Sequence, residues 1–229
     1  MSTPGNIVVR LVITCLIILP VMGLAQAPET PAQVRYPFLF EENKGQYHEN
    51  VRYRCELPTG YLYLENTGFT YLEVHQGDKA ILNKAFHDQV HGKTLPELSV
   101  RHHAFRVKFK QQEAIPELTP YHPKNYHYNY YIGNDRTKWA TGVKLYEKLV
   151  YDNVYPNIDL VFYTDVRGGL KYEWHIRKGG NINDIALEYI GLEDLRIVND
   201  SLLMQTSISK TYETPPVVYA YSQSLGISS

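Results

Sequence analysis

Two histidines have a spacing that could hold a metal ion. His87 and His91 are four residues apart, so on a helix both imidazoles would lie on one face and could bind the same zinc ion. Asp88 occupies the place that glutamate has in the H-E-x-x-H motif of metalloproteases. The shorter Asp88 side chain would lie too far from a metal-bound water, and the sequence places no third ligand. We therefore expect a polar surface segment here.

The remaining paired histidines are weaker candidates for the same chemistry. His102 and His103 are adjacent, and on a strand their rings would point to opposite faces. His122 and His127 flank a segment rich in tyrosine and could join a composite site, but chance proximity is expected among nine histidines. The sequence therefore predicts no metal ion and no other cofactor.

Four carboxylates could serve a glycosidase, which uses two such groups about 5–10 Å apart. They are Asp152, Asp159, Asp165 and Glu173. Asp159 and Asp165 share the face opposite to the apolar residues of their strand, so we expect solvent exposure or turn capping. The sequence has none of the G-x-S-x-G, Walker, G-x-G-x-x-G or C-x-x-C motifs. We predict no catalytic residue, and a hydrolase, either a glycosidase or a metal-dependent enzyme, is the alternative.

A tyrosine-rich segment is the best candidate for a binding surface. Its aromatic members are Tyr121, Tyr126, Tyr128, Tyr130, Tyr131 and Trp139. Exposed aromatic rings stack on sugar rings and form hot spots in protein interfaces. As ligand-contact residues we name Tyr126, Tyr128, Tyr130 and Trp139, which would make the chain a carbohydrate-binding module. The interpretation that we prefer is a strand whose rings pack into the core or between sheets, and the carbohydrate-binding module is the alternative.

The composition excludes several classes of protein. Of the 229 residues 44% are apolar, and 23 Lys+Arg against 24 Asp+Glu give a net charge of −1. The apolar content is typical of a globular protein. A near-neutral chain lacks the basic surface that binds nucleic acids or anionic membranes. We therefore expect no nucleic-acid partner.

The first residues are typical of an export signal. Arg10 is the only charged residue before Glu29, and the apolar run Leu11–Leu24 follows it. The run is shorter than the roughly 20 residues that a membrane-spanning helix needs. We predict a signal-peptide helix within residues 1–25, a mature chain that starts at Gln26 and a linker over 26–35. The sequence thus predicts a secreted or cell-surface protein with no stable membrane span after cleavage.

Alternation of apolar and polar residues predicts strands nearly throughout the mature chain. Two hairpins are predicted, one joining residues 158–162 to Leu170–Arg177 and one joining Asp194–Val198 to Ser201–Thr206. Three earlier strands are predicted at Val51–Cys55, Gly60–Glu65 and Phe69–Val74. The inward-facing positions on the longer strands are predicted to be Phe105, Val107, Phe109, Val143, Leu145, Leu149, Tyr151, Ile158, Leu160 and Phe162.

These strands predict an all-β fold, an antiparallel β-sandwich. Only Asp78–Val90 has a weak helical pattern. The segment Pro116–Pro123 could divide the chain into two lobes, but it is not a low-complexity linker, so we assign one domain to 36–222 and a tail to 223–229. After removal of the leader Cys55 is the only cysteine. We expect it to be a buried thiol in a fold that depends on its apolar core.

Four motifs together resemble a known family. They are ENKGQ at 42–46, NYYIGND at 129–135, VYPNIDL at 154–160 and LKYEW at 170–174. Over residues 36–222 the sequence resembles the N-terminal domain of unknown function of large exported Bacteroidota proteins. Those proteins often carry seven-bladed β-propeller (SBBP) repeats or a gliding-motility-associated C-terminal domain.

The resemblance implies an extracytoplasmic, β-rich module and supplies no catalytic residues. In such proteins the region of Pro215–Gln223 is typically followed by long further sequence, so we expect either a truncated product or a stand-alone module. The partner that we expect is a surface glycan or another cell-envelope protein. The sequence therefore favours a non-catalytic structural or interaction module at the cell surface.

Overall fold

The computed structural model describes residues 37–81, 84, 99–131, 135–165 and 168–219, together with two short segments, 7–9 and 15–18. Nearly all of the regular structure in these ranges is β. The strands are β1 (Ile7–Val9), β2 (Cys15–Ile18), β3 (Phe40–Glu42), β4 (Val51–Leu57), β5 (Gly60–Glu65), β6 (Gly68–Val74), β7 (His102–Phe109), β8 (Glu117–Tyr130), β9 (Ala140–Tyr155), β10 (Ile158–Thr164), β11 (Leu170–Ile176), β12 (Leu187–Ile190), β13 (Asp194–Val198), β14 (Ser201–Gln205) and β15 (Lys210–Glu213).

Helical structure in the described ranges is short. Two 3-10 turns occur, at Arg136–Lys138 and Ile182–Asp184. The helix predicted over Asp78–Val90 is seen at its start, because residues 76–81 are helical. Residues 85–90 lie outside the described residues. None of the described helical segments has the length and apolar character needed to cross a membrane.

The strands form one curled antiparallel sheet, an open half-barrel, and a small sheet. The order in the curled sheet is β12-β7-β6-β5-β4-β3-β9-β10-β11, and β8 also pairs with β9. The small sheet has the order β13-β14-β15. The all-β, antiparallel prediction is confirmed. A two-sheet sandwich is not confirmed, because most of the strands that enclose the core belong to one continuous sheet. The small sheet adds Leu195, Leu202 and Met204 to that core.

Two short strands lie within the predicted leader. β1 pairs with β12, and β2 pairs with both β11 and β15. The signal-peptide helix is therefore not confirmed. The rest of residues 1–25, and the predicted linker at 26–35, lie outside the described residues.

Both predicted hairpins are present. In the first, Leu160 of β10 pairs with Trp174 of β11. In the second, Val198 of β13 pairs with Ser201 of β14. Its two turn residues, Asn199 and Asp200, have φ values of 49° and 62°. A two-residue turn with positive φ at both positions matches the twist of antiparallel strands, and asparagine and aspartate tolerate that conformation.

The proline-rich segment Pro116–Pro123 belongs to the sheet from Glu117 onward. Strand β8 starts at Glu117 and pairs with β9 from Asp152 to Ala140. Its other edge has no partner strand among the described residues, so prolines are tolerated there. The segment is therefore a strand and not a linker between two lobes.

The core fills the inside of the curl. Phe69 of β6 lies 5.3 Å from Phe162 of β10, and Phe109 of β7 lies 5.2 Å from Tyr151 of β9, between ring centroids. All the predicted inward positions are buried, namely Phe105, Val107, Phe109, Val143, Leu145, Leu149, Tyr151, Ile158, Leu160 and Phe162. Cys55 is also buried and is a free thiol, as predicted. The alternation pattern thus identified buried positions, but not in every case the enclosed face. Leu145 pairs with the outward-facing Glu41, and neither Val143 nor Leu145 belongs to the main core cluster.

Candidate functional site

A loop after β3 turns Tyr47 back toward the outer face of the curled sheet. The Asn43 side chain organises this loop, because its Nδ2 donates to the Val51 carbonyl oxygen at 2.7 Å. Its Oδ1 accepts from the N–H groups of Gly45 at 3.0 Å and Tyr47 at 3.2 Å. Gly45 has a φ of 107°, which favours glycine. The ENKGQ motif is therefore a turn that positions Tyr47.

Glu41 lies at the centre of the contacts made on this outer face. Its neighbour Phe40 points into the core, so the alternation of β3 directs Glu41 outward. Glu41 Oε2 accepts from the Tyr47 hydroxyl at 2.5 Å and from Arg54 Nε at 2.9 Å. Glu41 Oε1 accepts from the Tyr130 hydroxyl at 2.7 Å. We call these four residues, Glu41, Tyr47, Arg54 and Tyr130, the Glu41 cluster.

The electrostatics of the Glu41 cluster favour an ion pair flanked by neutral phenols. Desolvation lowers the pKa of Arg54, but the charge of Glu41 outweighs it and the Arg54 pKa is raised overall. Burial and the hydrogen bond to Glu41 raise the pKa of Tyr47 far above its ordinary value. The Arg54 guanidinium carbon lies 4.6 Å from the ring centroid of Tyr47 and 4.8 Å from that of Tyr61, within cation–π range. These contacts hold Arg54 in one place.

A groove runs beside the Glu41 cluster. Its volume is about 530 Å³. The polar and aromatic residues that line it are Glu41, Glu56, Lys79, Lys124, Tyr126 and Tyr128, and the apolar lining comes from residues 37–39, 57–58 and 145. We call it the tyrosine groove. Strand β8 forms one wall. The rest comes from β3 and the residues before it, the end of β4 with its turn, Lys79 of the helical segment 76–81, and Leu145 of β9.

Two tyrosines present open rings to the tyrosine groove. Tyr126 and Tyr128 are 46% and 42% exposed. They are two residues apart on β8 and therefore project from the same side of the strand. Their ring centroids are 6.3 Å apart and the rings are inclined by 39°. Within the described ranges neither hydroxyl has a hydrogen-bond partner, so both the ring faces and the hydroxyls are available to a ligand.

The charged side chains of the groove are already paired with protein groups. Lys79 Nζ donates to the Leu57 carbonyl oxygen at 3.0 Å and lies 3.8 Å from a Glu56 oxygen. Lys124 forms an ion pair with Glu147. Together with the pairing of Glu41 and Arg54 at 2.7 Å, this leaves the groove without a strong field of either sign.

The four predicted ligand-contact residues do not form a single row. Tyr126 and Tyr128 line the groove, whereas Tyr130 is held by the Glu41 cluster. Trp139 lies outside the groove lining. Its ring packs edge-on against Tyr131, with centroids 5.1 Å apart, and the Arg136 guanidinium lies 5.4 Å from the Trp139 ring centroid. The structure therefore brings together two of the four residues as an open platform.

The predicted carboxylates each contact neighbouring protein groups. The Thr119 hydroxyl donates to Asp152 at 2.6 Å. Asp159 is buried, although exposure was one of the two expectations; it lies 3.2 Å from Arg177 and accepts from the Asn153 N–H at 2.8 Å. Asp165 accepts from the Gly169 N–H at 2.8 Å, which is the expected turn capping. Glu173 accepts a hydrogen bond from Tyr163. Each carboxylate thus has a local structural contact.

The histidines that the structure describes are dispersed. His103 Nε2 lies 2.6 Å from the Gly191 carbonyl oxygen, and its Nδ1 lies 2.9 Å from the Ser207 hydroxyl. His122 lies 3.9 Å from Glu147, and His102 and His127 are exposed. In the described part of the chain no group of three or more metal-ligating side chains is arranged to hold an ion. His87 and His91 lie outside the described residues.

Sequence reasoning missed the charged residues of the site. Glu41, Arg54, Lys79 and Lys124 have no motif that marks them individually. One signal was available for the cluster, because Tyr47 directly follows the ENKGQ motif and Tyr130 lies in NYYIGND. These two motifs meet in space, where the hydroxyls of Tyr47 and Tyr130 are 3.2 Å apart. Only the tertiary structure shows that the two motifs are adjacent.

Comparison with known proteins agrees with the resemblance at the level of the domain. The model of a domain of unknown function, DUF7948, matches residues 40–226. No curated protein matches the chain, and no solved structure does so either. The matched range coincides closely with the predicted domain and includes both motifs that build the Glu41 cluster. The chain therefore belongs to the DUF7948 family.

Proposed function

We propose that the chain is a non-catalytic interaction module that recognises a partner at the cell surface through the tyrosine groove. The observation that carries the proposal is the pair of open rings, Tyr126 and Tyr128, fixed on a strand beside the rigid Glu41 cluster. Aromatic side chains that lose little conformational freedom on binding are effective recognition groups. The partner would be a surface glycan or another cell-envelope protein.

The proposed location rests on the leader sequence. Residues 1–25 have the composition of an export signal, and residues 40–226 form the matched domain. We place the mature protein outside the cytoplasm, as a secreted or surface-attached protein of a Bacteroidota cell. The context that we propose is that of exported SBBP-repeat or gliding-motility-associated proteins. N-terminal sequencing of the exported protein should find Gln26 first, and a retained Met1 would contradict this part of the proposal.

Recognition is preferred over hydrolysis because of what the carboxylates contact. Asp159 forms an ion pair with Arg177, and Glu41 accepts hydrogen bonds at both of its oxygens. A glycosidase needs one carboxyl group that can donate a proton and a second that faces the substrate. Groups already engaged by protein donors fit a structural role better than that chemistry.

The test measures binding to the cell surface. The exported chain would be labelled and titrated onto envelope preparations of the bacterium that produces it. We expect saturable binding that Tyr126→Ala and Tyr128→Ala both weaken. Tyr212→Ala is the matched control, because Tyr212 is 45% exposed and lies on β15, outside the groove. Equal binding by all four proteins would refute the proposal.

A further inference from the structure

The charges of the tyrosine groove indicate what kind of ligand it can select. Its lining contains two carboxylates, Glu41 and Glu56, and two ammonium groups, Lys79 and Lys124. Glu41 pairs with Arg54, Lys79 with Glu56, and Lys124 with Glu147. A surface with balanced, paired charges attracts neither anions nor cations over distance. The groove is therefore matched to an uncharged ligand.

The same charges require that the ligand be polar. Lys79, Lys124 and Glu56 sit on the groove walls and are partly open to water. An apolar ligand would remove that water without replacing its hydrogen bonds, which is unfavourable. A ligand with many hydroxyl groups can replace them, because each hydroxyl both donates and accepts. The free hydroxyls of Tyr126 and Tyr128 offer two more such partners.

The rings supply the apolar part of the recognition. A sugar ring has a face of C–H groups that can stack on an aromatic ring, while its hydroxyls point outward to polar groups. Tyr126 and Tyr128 present two such rings 6.3 Å apart along one strand. A proline-rich peptide also binds aromatic grooves, but it has few donors for the carboxylates, because proline has no N–H group. The combination of open rings and paired charges favours the sugar.

We infer that the tyrosine groove binds an uncharged glycan chain, with sugar rings stacked on Tyr126 and Tyr128 and their hydroxyls bonded to the flanking charged side chains. The inference rests on the proposed function and names the ligand class of the same site. The Glu41 cluster has a positioning role in it, because its bonds to Tyr130 fix the end of β8. A wall that is rigid before binding loses little freedom when the glycan is bound.

The test titrates the exported chain with defined probes by calorimetry. The probes are neutral gluco-, galacto- and manno-oligosaccharides, an oligogalacturonate as the acidic saccharide, and a proline-rich peptide. We expect saturable binding of at least one neutral oligosaccharide, with little dependence on salt. Loss of one stacking ring should weaken it by about tenfold in Tyr126→Ala and in Tyr128→Ala. Tyr212→Ala should bind like the unaltered protein.

Three results would overturn the inference. They are binding of only the acidic saccharide or only the peptide, binding of a neutral oligosaccharide that neither groove substitution weakens, and no binding of any neutral probe.

The envelope experiment separates failure of the glycan inference from failure of the proposed function. If envelope binding depends on Tyr126 but neutral oligosaccharides do not bind, the glycan inference is wrong and the interaction module stands. If envelope binding ignores both groove tyrosines, the proposed function is wrong as well. Near-identical thermal unfolding of the variants confirms that each remains folded.

Discussion

The inner tyrosines Tyr151 and Tyr155 and the groove tyrosines Tyr126 and Tyr128 differ in what their hydroxyl groups contact. The Tyr151 hydroxyl lies 2.7 Å from the Glu65 carbonyl oxygen, and the Tyr155 hydroxyl donates to Ala186 O at 2.6 Å. Within the described ranges the groove hydroxyls have no such partner. Burial of a phenol requires a hydrogen bond for its polar end, whereas an exposed phenol has water.

The difference teaches that position in the curled sheet decides the role of a tyrosine. The inner rings close the core and their hydroxyls satisfy main-chain groups at turns and strand ends. The groove rings lie on the outer side of an edge strand and stay partly exposed, at 46% and 42%. The Glu41 cluster lies between these extremes, with Tyr130 half-buried and bonded to a carboxylate.

The largest effect is expected for removal of an inner ring. Tyr151 is fully buried, so Tyr151→Ala should leave a cavity and lower the free energy of unfolding by about 3–5 kcal/mol. Urea denaturation followed by circular dichroism measures this. Tyr126→Ala is the control and should change the free energy by less than about 0.5 kcal/mol. Similar losses in the two variants would refute the distinction between inner and groove tyrosines.

A smaller effect is expected within the Glu41 cluster. Glu41→Gln keeps the shape of the side chain but removes the charge opposite Arg54, whose side chain is 18% exposed. We expect the free energy of unfolding to fall by about 1–3 kcal/mol, because a partly buried guanidinium loses its partner. Glu56→Gln is the matched control, since Glu56 is 63% exposed. An equal or greater loss in that control would contradict the structural role of Glu41.

A difference should also appear in alkaline solution. Burial raises the pKa of Tyr53 from 10.0 to about 12. Below pH 10.0 both folded and unfolded chains keep this phenol neutral, so its contribution to stability is fully present. Between pH 10.0 and about 12 the unfolded chain releases the proton first, and that contribution is lost as pH rises. Denaturation series across this window should show a shallower loss for Tyr53→Phe than for the unaltered protein. Equal slopes for Tyr53→Phe and the unaltered protein would count against the prediction.

The smallest effect on stability is expected for a change in the groove that spares the ring. Tyr128→Phe should alter the free energy of unfolding by less than about 0.5 kcal/mol. Because it keeps the stacking face and removes only the hydroxyl, it should weaken glycan binding less than Tyr128→Ala does. Calorimetric titration of both variants with the same oligosaccharide compares them. If Tyr128→Phe binds as weakly as Tyr128→Ala, the hydroxyl rather than the ring is the main contact.

Much of the local structure could be predicted from the sequence. The strand Gly60–Glu65 has the predicted bounds, and the Asp194–Val198 hairpin has the predicted partner and turn. These succeed because alternation and turn residues act over a few neighbours. The two-sheet sandwich is not confirmed, because alternation shows which face is buried but not whether the covering strands belong to a second sheet or to the curl of the same one.

Only part of the candidate site could be predicted from the sequence in the same way. Tyr126 and Tyr128 could be found, because a segment dense in tyrosine is visible in the chain. The hydrogen bond from Tyr130 to Glu41 could not be predicted, since the two residues are 89 positions apart in the chain. The position of Trp139 outside the groove could not be predicted either, because it depends on the packing of Trp139 against Tyr131. The neighbours of a residue in the sequence do not reveal which distant residue it will contact.

The sequence by itself determined the β-rich character, the buried positions of the main strands and the family, because each depends on residue types at short spacing. The tertiary structure decided which tyrosines are buried in the core, which are hydrogen-bonded to Glu41 and which keep exposed rings. That choice depends on the curl of the sheet and on pairings between strands far apart in the chain. Such pairings are set by the packing of the whole domain, so no local pattern could specify them.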